Sequence, residues 1–252
     1  MTVYSEITNL ARRRKVHMTL IDPASQDTSR AGEISGEAEE AGTDFIMVGG
    51  STNINQDMMD RTIDSIRESC SRRIIIFPGS SSMVSNKADA IYFMSLLNSR
   101  NPEYIIRQQA KASQYLTRVG LETISMGYIV VEPGMTVGKV GEVDLIAQGD
   151  NKSAQEYSLA GQYFGMKLIY LEAGSGATKP VPQDMISAVR KVLKIPLIVG
   201  GGIRDPDAAS RAAKAGANII VTGTIAEKST EVRAVLERIV MAIRRSGRDD
   251  KI

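Results

Sequence analysis

The feature that most limits what this chain can fold into is a series of eight short apolar runs, most of them ending in Gly, Pro, Ser or Asp. In order they are "HMTLIDP" ending near Asp22, "FIMVGGS" at Ser51, "RIIIFPG" at Gly79 and "AIYFMSLLN" at Asn98. The series continues with "ISMGYIVVEPG" at Gly134, "KLIYLEAG" at Gly174, "PLIVGGG" at Gly202 and "NIIVTGT" at Thr224. Near-continuous aliphatic runs of this length are what strands buried on both faces look like, because helices must cover a parallel sheet. Helically spaced segments lie between them: "SGEAEEAGT", "DMMDRTIDSIRES", "NPEYIIRQQAKASQYLTRVG", "SAQEYSLAGQYFG", "PQDMISAVRKVL" and "DPDAASRAAKAGA". Eightfold alternation in 252 residues predicts a (β/α)₈ TIM barrel with one helix modified or missing. No linker or composition shift divides the chain, so 1–252 reads as a single barrel domain. The segment from Glu132 to Asn151 is too long and polar for a plain loop and predicts an extra short helix or a flap. The C-terminal "RRSGRDDKI" reads as a frayed helix end.

Composition narrows the partners. Thirty-one Lys and Arg against 29 Asp and Glu leave a formal charge of +2, too balanced for a nucleic-acid binder or a purely electrostatic membrane binder. An anionic partner must therefore be caught locally. One cysteine, Cys70, excludes an intrachain disulfide, and no apolar stretch approaches bilayer-spanning length or a signal-peptide core, so the expected location is cytoplasmic.

In such barrels the reactive residues sit at the C-terminal strand ends, with a phosphate site commonly after strands seven and eight. "VGGGIRDPDAA" places Gly200, Gly201 and Gly202 where bare backbone can approach a ligand, and Asp205 before Pro206 reads as a helix N-cap. "VTGTIAEKS" places Gly223 and Thr224 at another helix opening. Unpaired N–H groups and helix dipoles make both turns candidate anion seats. With "AGSG" after strand six, three adjacent loops converge. One glycine loop alone is adequately explained as a tight strand ending; three in succession point to phosphate.

Strand one ends at Asp22 and strand two at Ser51. These are hard oxygen donors suited to Mg²⁺, which keeps several waters and bridges substrate phosphates. Asp22 is explained equally well as the cap of a turn before Pro23. Glu172 resists a bland reading, since a carboxylate on an apolar strand is costly to desolvate unless it acts as a base or binds a hydroxyl. Alternation points Tyr170 to the same side as Glu172. His17, the only histidine, reads as structural at the bottom of the barrel. The methionines, including Met58 and Met59, read as core filler, and the run Arg12 to Lys15 as a solvated helix face.

Taken in order, "LIDP", "VGGS", "YLEAGSGA", "VGGGIRDP" and "VTGT" resemble the geranylgeranylglyceryl phosphate synthases, archaeal prenyltransferases related to the bacterial heptaprenylglyceryl phosphate synthases. The resemblance runs from about His17 to Glu227, with "FMSLLNS" and "GYIVVEPG" adding agreement. It implies a modified TIM barrel that joins the 3-hydroxyl of sn-glycerol 1-phosphate to a polyprenyl diphosphate, with geranylgeranyl favoured as the chain. It further implies Mg²⁺ at Asp22 and Ser51, and glycerol phosphate along Tyr170, Leu171, Glu172, Ala173, Gly174, Ser175 and Gly176. Gly201, Gly202, Gly223 and Thr224 would grip the phosphate, and Glu172 would be the base. A homo-oligomer and transient contact with a membrane surface are also implied. The chain departs from the family after strand one, where Ser25 stands in place of the usual lysine; Arg30 is the candidate substitute. The rival readings are a phosphosugar isomerase or cyclase on the same fold, and a noncatalytic barrel that binds a phosphorylated ligand.

Overall fold

Eight parallel strands close into a barrel in chain order in the computed structural model, which describes residues 1–50 and 54–246. They are β1 (Val16–Ile21), β2 (Phe45–Val48), β3 (Ile74–Ile76), β4 (Ala90–Leu96), β5 (Glu122–Val130), β6 (Leu168–Glu172), β7 (Leu197–Gly200) and β8 (Ile219–Thr222). Pairing of β1 with β8, with Met18 opposite Val221, completes the ring. Alternation divides each strand between two layers. On β6, Leu168 and Tyr170 join the barrel interior with Met18, Tyr92 and Tyr128, while Ile169 and Leu171 join the layer under the helices.

The helices are α1 (Val3–Arg13), α2 (Thr28–Glu40), α3 (Gln56–Ser69), α4 (Gln108–Val119), α5 (Met135–Val140), α6 (Asn151–Tyr163), α7 (Gln183–Val192), α8 (Pro206–Lys214), α9 (Thr224–Lys228) and α10 (Val232–Ser246). Helix α3 shows why these segments fold locally. Asn55 caps it by accepting the Met58 N–H at 2.9 Å, and Met59, Thr62, Ile63 and Ile66 form a buried stripe at helical spacing. Replacing Ile63 with Ala would cost about 2–5 kcal/mol in cavity and transfer terms. Among the described residues, no helix is long and apolar enough to cross a membrane.

The expected helix irregularity falls after β3. Only a 3₁₀ turn, Ser81–Met83, stands between β3 and β4. "PGSSS" supplies a proline, a glycine and three serines with no apolar period, so nothing there can bury a helix face. The turn is held by Gly79 N–H on the Met83 sulfur at 3.1 Å and by Ser81 N–H on Gln108 Oε1 at 2.7 Å. Between Glu132 and Asn151 the extra short helix is α5, in a flap docked by Gly134 N–H on the Ala173 carbonyl at 3.0 Å. Asn98, from "SLLNS", clamps the flap's base by donating to the Val130 and Asp144 carbonyls at 2.8 and 2.9 Å.

Several details differ from the sequence reading. Helix α2 begins at Thr28, well before "SGEAEEAGT", because Asp27 caps it through the Arg30 N–H at 2.8 Å and Ala31, Ile34, Ser35 and Ala38 form its buried stripe. Arg14, assigned to a solvated face, instead pairs with buried Asp44 at 2.6 Å. Arg244 and Ser246, assigned to a frayed end, lie in α10, and Arg244 reaches the Gly42 carbonyl at 2.7 Å. His17 lies inside β1, buried, with its ring nitrogens 2.9 Å from the Thr43 and Thr222 hydroxyls, which supports a structural role.

Candidate active site

Two cavities open at the C-terminal end of the barrel, and Glu172 lies at their junction, lining both together with Leu20 and Ser175. Strand β6 delivers the carboxylate, which is 6% exposed, to the barrel mouth. Its Oε1 accepts the Gly174 N–H at 2.6 Å, and the neighbouring Tyr170 and Tyr128 hydroxyls favour its ionised form. Burial raises the Glu172 carboxyl from the ordinary glutamate range to about 7, against the lowering effect of those three donors. The group is thus poised to exchange a proton near neutrality. The two tyrosine rings meet edge to face at 5.1 Å, and Phe77 stacks on Tyr170 at 5.6 Å, which fixes the phenols around the acid.

The smaller cavity is the more polar of the two. Gly176, Gly201, Gly202, Gly223 and Thr224 line it, with Tyr170 at its floor. Ser175 and Thr224 join their loops through a 3.0 Å contact between hydroxyls. Gly201 and Gly202 both take left-handed φ angles, +81° and +72°, that turn the backbone after β7. The seat is built from loop backbone rather than from the dipole of α8, because the Asp205 carboxylate already caps that helix through the Ala208 N–H at 2.7 Å. Leu171 and Ala173 turn their side chains to the helix layer and line neither cavity.

The larger cavity is apolar. It runs over Phe77, Tyr92 and Tyr104 to Ala112 and Leu116 of α4, with Val137 of the flap on one side. It occupies the flank that the missing helix leaves open. No lysine or arginine lines it among the described residues.

Asp22 follows β1 directly and is half-buried rather than exposed, with its carboxyl raised by burial. Its N–H donates to Glu227 Oε1 at 3.3 Å, and Glu227 is itself pushed up to about 7 by burial and then by the Asp22 charge. Gln26 donates to the Asp22 carbonyl at 2.5 Å while its own Oε1 is buried without a partner. A β-carbon on Gly50 would fall 2.4 Å from Asp22 Oδ2, so the carboxylate rests on bare backbone. Asp22 Oδ1 also accepts the Ala24 N–H at 2.9 Å, the turn-capping role open to it from the sequence. Asp22 and Glu227, which form no salt bridge among the described residues, together with the orphaned Gln26 oxygen are the donor types a hard divalent cation takes. No cluster of three His, Cys, Asp or Glu occurs among the described residues, so water and substrate would complete the shell. Ser51, the other expected ligand, lies outside the described residues. Arg30 does not reach the mouth: it is held by Glu33 at 3.0 Å and the Ser229 carbonyl at 3.0 Å.

Sequence reasoning missed Tyr128, Glu227, Gln26 and Arg204. Tyr128 stands near the end of an apolar strand and reads there as core. Glu227 carries a weak signal, an acid in the first turn after the "VTGT" loop.

The sequence matches the PcrB family over residues 8–243. The chain belongs to the PcrB family. It is 54% identical to the geranylgeranylglyceryl phosphate synthase of Picrophilus torridus, over 96% of this chain and all of that relative. The enzyme of the same name from Thermoplasma volcanium is also 54% identical, over 97% of each chain. The crystal structure of (S)-3-O-geranylgeranylglyceryl phosphate synthase from Thermoplasma acidophilum, in complex with substrate sn-glycerol-1-phosphate, superposes with a TM-score of 0.95. It is 51% identical, with 97% of this chain and 99% of that one covered. The PcrB match spans Asp22, Glu172, the three glycine loops and Glu227, so every element of the two-cavity site falls within it.

Proposed function

We propose that this PcrB-family chain is a prenyltransferase that joins geranylgeranyl diphosphate to the 3-hydroxyl of sn-glycerol 1-phosphate, forming the first ether bond of an archaeal membrane lipid. The observation that carries this reading is the position of Glu172 between a polar, glycine-lined cavity and an apolar one. The polar cavity takes the glycerol phosphate, with backbone at Gly201, Gly202 and Gly223 on the phosphate. The apolar cavity takes the isoprenoid tail, which places the allylic carbon beside Glu172.

In the reaction the hydroxyl oxygen forms its bond to C1 of the prenyl chain, the bond from C1 to the diphosphate oxygen breaks, and that electron pair leaves with the diphosphate. Glu172 accepts the hydroxyl proton. Tyr128 and Tyr170 hold the carboxylate in one orientation, so it need not reorganise as charge develops. Phe77 and the tyrosine rings exclude water from the cation-like carbon. The Asp22 carboxylate, with Glu227 and the Gln26 amide oxygen beside it and Ser51 completing the set, would hold Mg²⁺. A bound Mg²⁺ neutralises the leaving charge. An isomerase or cyclase reading has less support, because the apolar cavity exceeds what a phosphosugar needs. The lipid product and the apolar mouth favour transient contact with a membrane surface, and family membership favours a homo-oligomer.

The test is incubation of the purified protein with Mg²⁺, labelled geranylgeranyl diphosphate and either glycerol phosphate enantiomer, with and without chelator. Labelled ether lipid from the 1-phosphate alone, lost with chelator, is expected. No product from either enantiomer would refute the reading.

A further inference from the structure

We propose that Arg204 is the charge by which the polar cavity selects and positions the phosphate of its small substrate. This inference rests on the function proposed above. The donors from Gly201, Gly202, Gly223, Ser175 and Thr224 are neutral, while a phosphate monoester carries about −1.5 to −2 near pH 7. Glu172 faces the same cavity, and once ionised it repels that anion. Backbone and hydroxyl donors can seat an anion, but by themselves they leave its charge, and its repulsion by an ionised Glu172, without a compensating cation. Arg204 is the one cationic side chain lining either cavity among the described residues.

Its anchoring is built in. Ile203, 5% exposed, pins the chain beside it into the helix layer, and Asp205 is fixed as the α8 cap. The guanidinium spans to the facing loop, where Nη2 donates to the Gly176 carbonyl. Gly176 takes a left-handed φ of +74° and lines the same cavity. Arg204 thereby ties the loop after β6 to the loop after β7, and holds apart the two backbone walls between which the phosphate lies. Its partner among the described residues is a carbonyl and not a carboxylate, so its charge is left for a ligand. A planar guanidinium retains further N–H donors for phosphate oxygens after one is spent on a carbonyl.

Calorimetric titration of the full chain with sn-glycerol 1-phosphate and, separately, with glycerol tests this in the parent, Arg204→Gln and Arg204→Lys, alongside steady-state kinetics. The expected result is a roughly ten- to hundredfold weaker affinity for the phosphate in Arg204→Gln, with a matching rise in KM and kcat within about threefold. Glycerol binding should be unchanged, and Arg204→Lys should recover part of the loss. Added guanidinium should also restore phosphate binding to Arg204→Ala, a response that a folding defect would not give. If the parent binds glycerol phosphate and Arg204→Gln binds it equally well, or loses kcat at unchanged affinity, the inference is overturned. If the parent itself binds no glycerol phosphate, the functional reading fails first and takes this inference with it.

Discussion

Gly201 lies so close under the Glu172 carboxylate that a β-carbon there would stand 2.2 Å from Oε1. The acid has its position because the neighbouring strand end presents hydrogen instead of a methyl group. Gly201→Ala should therefore displace the carboxylate as well as strain a left-handed residue. Turnover should fall at least about a hundredfold, with a stability loss of about 1–3 kcal/mol. Urea melts beside kinetics check the pair, and near-parental turnover would show that the carboxylate position is not critical.

The raised Glu172 carboxyl sets a pH dependence. A proton acceptor must be ionised, so kcat should drop about tenfold per pH unit below the group's value near 7 and level off above it. Glu172→Gln should remove roughly two to four orders of magnitude of turnover with little change in glycerol phosphate binding. In Tyr128→Phe the ring stays and one donor to the ionised form is lost. The acidic limb should then move to higher pH by about half a unit to one unit. A limb that moves down, or stays put, would remove Tyr128 from this role.

Among the described residues the larger cavity has no cationic lining and Arg30 is engaged elsewhere, so the proposed reaction would leave most of the neutralisation of a diphosphate to a divalent ion. Glu227→Gln should weaken Mn²⁺ binding, followed by electron paramagnetic resonance, by about ten- to hundredfold. Ser25→Lys should lower the KM for prenyl diphosphate severalfold and flatten its dependence on metal concentration. Unchanged Mn²⁺ affinity in Glu227→Gln would confine that residue to holding the Asp22 N–H.

His17 at the barrel floor links stability to acidity. Burial lowers its ring from 6.5 to about 4, so the folded chain keeps it neutral where the unfolded chain protonates it. Its contribution, about 3 kcal/mol, is fully present above pH 6.5 and is lost as pH falls towards 4. The difference in unfolding free energy between parent and His17→Gln should shrink across that window, and a difference independent of pH would contradict the assignment.

The sequence made the strands legible because a parallel strand buried on both faces can hardly avoid looking apolar, and strand ends are marked by glycine. Glu172 and the glycine loops were legible for the same reason, each breaking an apolar run at a strand end. Helix α2 was misjudged because its glycines and serines read as loop, whereas they suit a helix with a capped start and a small-residue buried face. Tyr128, Glu227 and Arg204 were not legible because each acts through a partner far away in the chain: Glu172 on the neighbouring strand, Asp22 across the barrel closure, Gly176 on the facing loop. A tyrosine in a strand gives no sign of which carboxylate its hydroxyl will find until the barrel closes.

The turn of three residues that replaces a helix after β3 changes what the barrel can accommodate. A fully ringed barrel receives its reactants from above, like a well, and suits molecules that fit wholly within its mouth. With one stave gone, the well has a spout. A reactant can keep its polar head at the centre while a greasy tail runs out sideways under α4 and the flap, shielded from water along its length.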